Sequence, residues 1–540
     1  MYELLAVSLP IFVILPVLIA VFLFAFSSAK YARIIAMTVQ GAFILPAFLL
    51  LEATRYTEII GIVGAYEAIL GITLRADNMA SVFILLTVII FFAVGVYSIQ
   101  TPFDKVNRLY LFLVYLLQGV LIGLFLTRDI FNIFVLVEVG TVVVTILLMY
   151  DRERRNLFAG MTFIIVNIVV MQFYLLGIGY LYMITGVMDM EIAANILYEM
   201  EGGIPALPYA LIMTSIAAKC SLLPMITWVP KINALTGSRY TIAAIMSGLH
   251  IKSGIYLFIR FSDLFGGMAN EFFLVIGILT AVMGIFMALA QTDIRLLLAY
   301  STIAQVGLII AGLSLDNEYS HIGSLFHIVN HAMFKVALFL CASQLRFTFK
   351  TNDITKMRGG FHHSPIISAA NVMAILGIIG APLWNGSISK YFLMYGATGA
   401  LEWVFVVINL GTILVFVRYA SVFFGGKVEG IKKATTDWYR LSIIIGLGLS
   451  CFVLGIFGSW TIEFLFNETI SPSLWGYLEK VLIFFISLGV AVLVYTKVIR
   501  KSGFLKPLDG LTVGFHKICV SIGVFFAAIL VYVGMFAGAV

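Results

Sequence analysis

Residues 211–254 read LIMTSIAAKCSLLPMITWVPKINALTGSRYTIAAIMSGLHIKSG. Two apolar runs of membrane-spanning length lie within this stretch, and each carries a lysine, Lys219 or Lys252, where hydrocarbon is expected. A charged lysine near the bilayer centre costs roughly 2.5–3.5 kcal/mol even on the lenient insertion scale. Such residues face a protein interior or a water-filled cavity and mark ion or proton paths. Pro224 follows Lys219 by five residues. A proline removes a backbone donor and breaks the helix, which frees carbonyl groups at membrane depth. Broken helices beside buried charges are a transporter signature.

The rest of the chain has the same character. Of 540 residues, 62% are hydrophobic and 11% charged, whereas a soluble domain carries about 25% charged residues. At about 20 residues per span, the chain divides into about sixteen transmembrane helices with almost no room for a soluble domain. The first apolar run, from about Leu4 to Phe26, is long enough to be a span itself, so no cleavable signal peptide is expected. The net charge of +6 is spread over short loops, which gives no support to nucleic-acid binding. Cys220, Cys341, Cys451 and Cys519 sit singly in apolar runs, without the spacing of an iron–sulfur, zinc or disulfide site. Glycine-rich stretches such as GLGLSCFVLG fall inside spans and read as helix-packing positions rather than nucleotide loops.

Basic residues set the orientation. Alternate loops carry Lys30 and Arg33; Lys105 and Arg108; Arg152, Arg154 and Arg155; Lys231 and Arg239; Arg295; Arg346 to Arg358; Lys427 to Arg440; and Lys497 to Lys506. The opposite loops hold little beyond Arg55, Arg75 and Arg128, and bear acids such as Asp189, Glu191, Glu199 and Glu201. The first set is expected to face the cytoplasm of a cell membrane, with both termini outside. Residues 52–78 are expected to form a short extracytoplasmic hairpin, and the connection 498–512 is too short for a long lateral helix.

The seventh expected span, 207–228, holds Lys219 and Pro224, and the twelfth, 366–397, holds Pro382 and Lys390. Two proline-broken, lysine-bearing helices five spans apart suggest two five-helix repeats, and an odd offset inverts one relative to the other. The expected division is 1–108 for helices 1–3 and their loop, 109–262 for the first repeat, 263–424 for the second, and 425–540 for helices 14–16.

Glu138 lies near the middle of the fifth span. If it approaches Lys219, each favours the other's charged form, and separation discharges one of them. The competing reading is a static buried ion pair. In the eleventh span His327, His331 and Lys335 recur every fourth residue, so they line one helix face with Asn330 beside them. Histidine titrates near neutrality, which suits proton relay; the same spacing also fits a metal ligand pair. His250 and Lys252 are two residues apart and do not share a face, and Lys252 is the expected path residue. Asp293 beside Arg295 reads as a structural helix start.

TRDIFNIFVLVEVG, AAKCSLLPMITWVP, QTDIRLLLAYSTIAQVG, HIVNHAMFKVALFL and GIIGAPLWNGSISK, in this order, resemble the signatures of the antiporter-like subunits of respiratory complex I. The same superfamily contains Mrp-type cation/proton antiporters and membrane-bound, energy-converting hydrogenases. The resemblance covers roughly residues 75–425 and is nearest to the D-type Mrp chain. It implies a fourteen-helix core with two inverted five-helix repeats, no cofactor in the subunit, and a coupling pair that maps onto Glu138 and Lys219. Lys252, His327, His331 and Lys390 would continue a central polar axis. The chain departs from the family pattern at Lys231 and Asn233, where an acid and a histidine are usual, and at Leu296, where a second basic residue is usual.

The sequence therefore predicts an all-α polytopic membrane protein with broken helices 7 and 12 at Pro224 and Pro382. Its expected role is a proton-translocating subunit, with sodium as alternative cargo, among other antiporter-like and small membrane subunits. No metal, cofactor or redox catalysis is expected. The proton-path candidates are Glu138, Lys219, Lys252, His250, His327, His331, Lys335 and Lys390. A standalone transporter of a small solute, and a structural subunit with static ion pairs, are the alternatives.

Overall fold

Long runs of Leu, Ile, Val and Phe leave the backbone no polar partner but itself, so the chain is built of helices. The computed structural model describes residues 2–26, 30–63, 71–98, 108–200, 203–226, 230, 240–431, 437–500 and 514–536. Lys105, Glu201, Lys231, Asn233, Arg239, Lys432, Lys433, Lys501 and Lys506 lie outside the described residues, as does most of 498–512.

Fourteen described helices are long and apolar enough to cross a membrane, and they fall on fourteen of the expected spans. At the seventh and twelfth positions stand shorter apolar helices, Ala206–Lys219 and Pro365–Ile379. Both end before their prolines. The first stops at Lys219, ahead of a cis Leu223–Pro224 bond, and the second at Ile379, where Gly380 turns left-handed at φ 76°. A new helix, Asn385–Leu393, carries Lys390 beyond the second break.

The chain forms two compact units: Met1–Cys220 with His250–Phe272 and Gly514–Val540, and Ser221–Leu249 with Phe273–Val513. In the first unit, helix Tyr2–Phe26 packs on Arg108–Leu126, and Arg154–Thr185 packs on both Ile130–Met149 and Ala206–Lys219. The C-terminal helix Phe515–Phe536 lies against Ala206–Lys219. In the second unit, the almost wholly buried helix Glu318–Phe349 is central, packed on Ile294–Leu313, Pro365–Ile379, Asn385–Leu393 and Trp438–Ile456. Helix Ala400–Ala420 packs on Leu474–Val494.

One framework occurs twice. Helices Ile130–Met149 and Ile294–Leu313 have 20 residues each, and Arg154–Thr185 and Glu318–Phe349 have 32 each. The later member starts 164 residues after the earlier in both cases (294 − 130 and 318 − 154). Asp129 and Asp293 cap the shorter pair, and Gly186 and Lys350 end the longer pair in left-handed turns. Ile130 N–H donates to Met188 O and Met190 N–H to Arg128 O; the equivalent Ile294–Asn352 and Ile354–Thr292 bonds lie 164 residues on.

The expected hairpin is present: Ile59–Val63 pairs antiparallel with Ile72–Ala76, Ile59 opposite Ala76. Arg75 on it forms ion pairs with Glu191 and Asp189, and Thr73 Oγ1 donates to Asp189 Oδ2 at 3.1 Å. Asp77, just after the hairpin, binds Arg128 at 3.0 Å and Arg260 at 2.5 Å, and accepts Ala80 N–H at 2.8 Å. Burial alone would raise the Asp77 carboxyl, but Arg260 and Arg128 hold it below the usual carboxylate range. A depressed carboxyl stabilises the fold above its ordinary range and loses that contribution as pH falls through its folded value. Asp77→Asn should therefore cost about 3 kcal/mol at neutral pH, because it strips the charge that two arginines share. The thermal midpoint of the purified protein, compared with wild type at pH 7 and at pH 3, measures this, and the gap should narrow in acid.

Candidate functional site: buried lysines beside two broken helices

Lys219 is the last residue of its helix, where four carbonyls lack intrahelical partners and the dipole favours a cation. Its Nζ donates to Asn167 Oδ1 at 2.6 Å and to Thr141 Oγ1 at 3.2 Å. Asn167 Nδ2 donates to Phe163 O at 2.8 Å, which fixes the amide with its oxygen toward the lysine. Thr141 donates its own proton to Val137 O, so a lone pair remains to accept. Glu138 sits three residues before Thr141 on the same helix. Its Oε1 is buried and has no hydrogen-bond partner among the described residues. The lysine thus rests on neutral acceptors.

Lys252 and His250 belong to the same unit. Lys252 is wholly buried, and Gly254 two residues later lets its helix approach the Lys219–Cys220 backbone, where an added Cβ would meet Lys219 C at 3.1 Å. His250 ends a π-helical turn, Met246–His250, a local irregularity frequent at functional sites. Its Nδ1 is buried without a hydrogen-bond partner among the described residues.

In the second unit His327, Asn330, His331 and Lys335 are all fully buried on helix Glu318–Phe349. His327 contacts Ser389 Oγ through Nδ1 at 2.9 Å and Gln305 Oε1 through Nε2 at 3.0 Å. Gln305 Nε2 donates to Thr412, so its oxygen faces the ring and His327 Nε2 carries the proton. Ser389 Oγ is also within reach of Asn385 O at 3.2 Å. Its hydroxyl can turn from Nδ1 to that carbonyl, which lets His327 take up a second proton without stranding a donor. The His331 ring lies 6.4 Å from the His327 ring, centre to centre. Lys335 Nζ donates to Leu298 O at 2.9 Å and Ser301 Oγ at 2.5 Å. Lys390 Nζ donates to Ile378 O at 2.7 Å and Asn409 Oδ1 at 2.8 Å. The break after Ile379 frees the first of these acceptors.

A cavity of about 40 Å³ joins Lys390 to Lys480, with Ser387, Asn409 and Ser487 on its wall. It is polar and large enough for water. Lys480 pairs with Glu402 at 2.5 Å. Sequence reasoning passed over Asn167, Gln305, Asn409, Glu402 and Lys480. Asn167 and Asn409 carried a readable signal, each a lone polar side chain inside an apolar run where an unpaired amide is costly. Asp293 caps its helix through Arg295 N–H and pairs with the Arg295 side chain at 2.8 Å, a structural arrangement. Among the described residues, no three His, Cys, Asp or Glu side chains gather as a metal site.

The family profile described as NADH:quinone oxidoreductase/Mrp antiporter, transmembrane, matches residues 127–415, which include both breaks and Lys219, Lys252, Lys335 and Lys390. The chain belongs to this family. It is an antiporter-like, multi-pass membrane protein. Among relatives, the D-type chain of the Na(+)/H(+) antiporter of Alkalihalophilus pseudofirmus is 29% identical over 398 residues, covering 71% of this chain and 80% of that one. The N-type chain of NADH-quinone oxidoreductase of Desulforudis audaxviator is 29% identical over 423 residues, covering 73% and 83%. One polypeptide of the Mrp complex from Dietzia sp. superposes with TM-score 0.77 at 20% identity, covering 88% of this chain and 99% of that one. One polypeptide of an archaeal membrane-bound sulfane sulfur reductase gives 0.79 at 22% identity, covering 89% and 99%. These likenesses establish the antiporter-family fold.

Proposed function

We propose that this chain is a proton-translocating subunit of a multisubunit Mrp-type or respiratory-type complex, with sodium as the alternative cargo. It would be embedded in the cell membrane with both termini outside and accompanied by other antiporter-like and small membrane subunits. It transports without redox chemistry of its own. Residues 109–262 and 263–424 are the two repeats, flanked by 1–108 and 425–540.

The observation that carries this reading is the state of Lys219. Its ammonium rests on Asn167 and Thr141 while Glu138 Oε1, one turn from Thr141, is buried without a hydrogen-bond partner among the described residues. Thr141 and Asn167 offer Lys219 a resting place apart from the carboxylate, as a charge switch requires and a static pair does not. Movement of Lys219 toward Glu138 stabilises both charges, and retreat lets the lysine release its proton. Lys252 and His250 take part in the first unit. His327, His331, Lys335 and Lys390 form the path in the second, with His327 relaying through the Ser389 rotor. Water in the cavity between Lys390 and Lys480 provides an outlet.

The test is transport by the purified complex in proteoliposomes, with Glu138→Gln and Lys219→Met introduced singly and together. A switch predicts loss of transport in all three. Full transport by the double variant identifies a static ion pair and overturns the mechanism, and activity of the chain reconstituted alone identifies a standalone transporter.

A further inference from the structure

We propose that the second unit carries a binding site for an anionic phospholipid, where the phosphate is held by Arg358 and Arg500 and an acyl chain lies against Val492 and Phe424. The site is a cavity of about 730 Å³, within the range of ligand pockets. Three chain segments enclose it: the 3₁₀ turn Ile354–Lys356 continuing to Arg358, the end of helix Ala400–Ala420, and the π-helical turn Tyr495–Ile499.

Its walls are held by the backbone. Gly359 N–H donates to Phe424 O at 3.1 Å, Gly360 N–H to Val422 O at 3.1 Å and Phe361 N–H to Phe423 O at 3.3 Å. Gly359 has φ 67°, and a Cβ there would meet Gly426 O at 2.6 Å, so this turn admits little else. Tyr495 donates to Ser421 Oγ at 3.3 Å across the mouth.

The chemistry of the cavity is divided. Arg358 and Arg500 are exposed, and neither has an ion-pair partner among the described residues. Guanidinium groups favour phosphate because their planar forks match its oxygens. Lys350, Lys356, Lys427 and Lys497 lie in the same set of basic loops and add positive potential. Below the arginines the lining turns apolar, with Val417, Val492 and the largely exposed Phe424. Helix Leu474–Val494 presents Leu482, Phe485, Ile486 and Leu493 outward, as a lipid-facing helix does, so the apolar wall continues into that surface. A tyrosine at the rim of a spanning helix stands where headgroups lie. Basic pockets between spans at this level suit anionic headgroups. An acidic protein segment would satisfy the arginines but leave the apolar wall bare.

The test uses the intact complex purified in mild detergent and given phosphatidylglycerol or phosphatidylcholine, with retained lipid counted by native mass spectrometry. We expect at least tenfold preferential retention of phosphatidylglycerol, lost in Arg358→Gln/Arg500→Gln. Val492→Trp, which fills the apolar wall and leaves the charge untouched, should also expel it. Both arginines are exposed, so the double variant should keep the wild-type melting temperature. Equal retention of the two lipids, or retention unchanged in both variants, overturns the proposal. Competition by millimolar inorganic phosphate as effective as by phosphatidylglycerol would make this a free-phosphate site. A photo-crosslinker at Val492 that captures a neighbouring subunit instead of lipid would make it a protein interface.

Discussion

Lys219→Ala should abolish proton-coupled transport, by more than about 100-fold, while leaving the complex assembled. The chemical reason is that, among the described residues, no other cation is hydrogen-bonded to Asn167 Oδ1 or Thr141 Oγ1, and Glu138 Oε1 has no hydrogen-bond partner that could take the lysine's place. The structural cost is smaller. Orphaning two neutral acceptors costs about 1–3 kcal/mol, and Lys219 is only half-buried, so water can reach the vacated space. Lys219→Arg discriminates further. A guanidinium keeps the charge and can bond Asn167, so a static ion pair would tolerate it. It does not give up its proton in a protein, so a proton switch would not. Proton uptake by everted vesicles, normalised to assembled complex, measures both. Normal uptake by an assembled Lys219→Ala complex would sink the Glu138–Lys219 mechanism.

Gly386→Val should remove most of the folded protein. Gly386 opens the helix that carries Lys390, and a Cβ there would collide with the Gly377 carbonyl oxygen on the helix before the break. The obstacle is backbone on both sides, so no side chain can swing away, and the Cα of Gly380 stands 3.4 Å off. Overpacking of this kind costs about 1–3 kcal/mol where neighbours can adjust, and more where they cannot. Gly489→Val, on a helix where an added Cβ meets nothing within 4 Å, should leave yield and melting temperature unchanged. Yield of monodisperse protein by size-exclusion chromatography decides the matter. Equal yields would mean that the break can open without loss.

Much of this was legible in the sequence because the bilayer makes exceptions visible. Lys219, Lys252, Lys335 and Lys390 interrupt apolar runs, and each is a position that hydrocarbon would not tolerate. The prolines located the breaks but not where the helices stop. The second helix ends three residues before Pro382 because Gly380 takes a left-handed turn, a choice made by close packing on Gly386. Partners were less legible. Nothing in the spacing of Asn167 or Asn409 says which lysine each receives, since that depends on which helices neighbour each other. Arg128 read as a loop charge, yet it is buried against Asp77 and Tyr256, because the hairpin and helix 251–264 close over it. The 164-residue spacing escaped notice because helix lengths and capping bonds keep it, while most side chains do not.

That spacing also pairs side chains across the two halves. Stepping 164 residues from Glu138 arrives at Thr302, from Thr141 at Gln305, and from Asn167 at His331. The two helix pairs thus share a backbone framework but not an inventory of side chains. Where the first helix pair has a carboxylate, the second has a hydroxyl that bonds Ser247 at 2.5 Å, and where the first has an amide the second has an imidazole. Under the proposed function the two halves would differ in role: one holds an acid able to arrest a charge, and the other hands the charge on. Substitution should therefore be tolerated unequally in the two halves, least of all at Glu138.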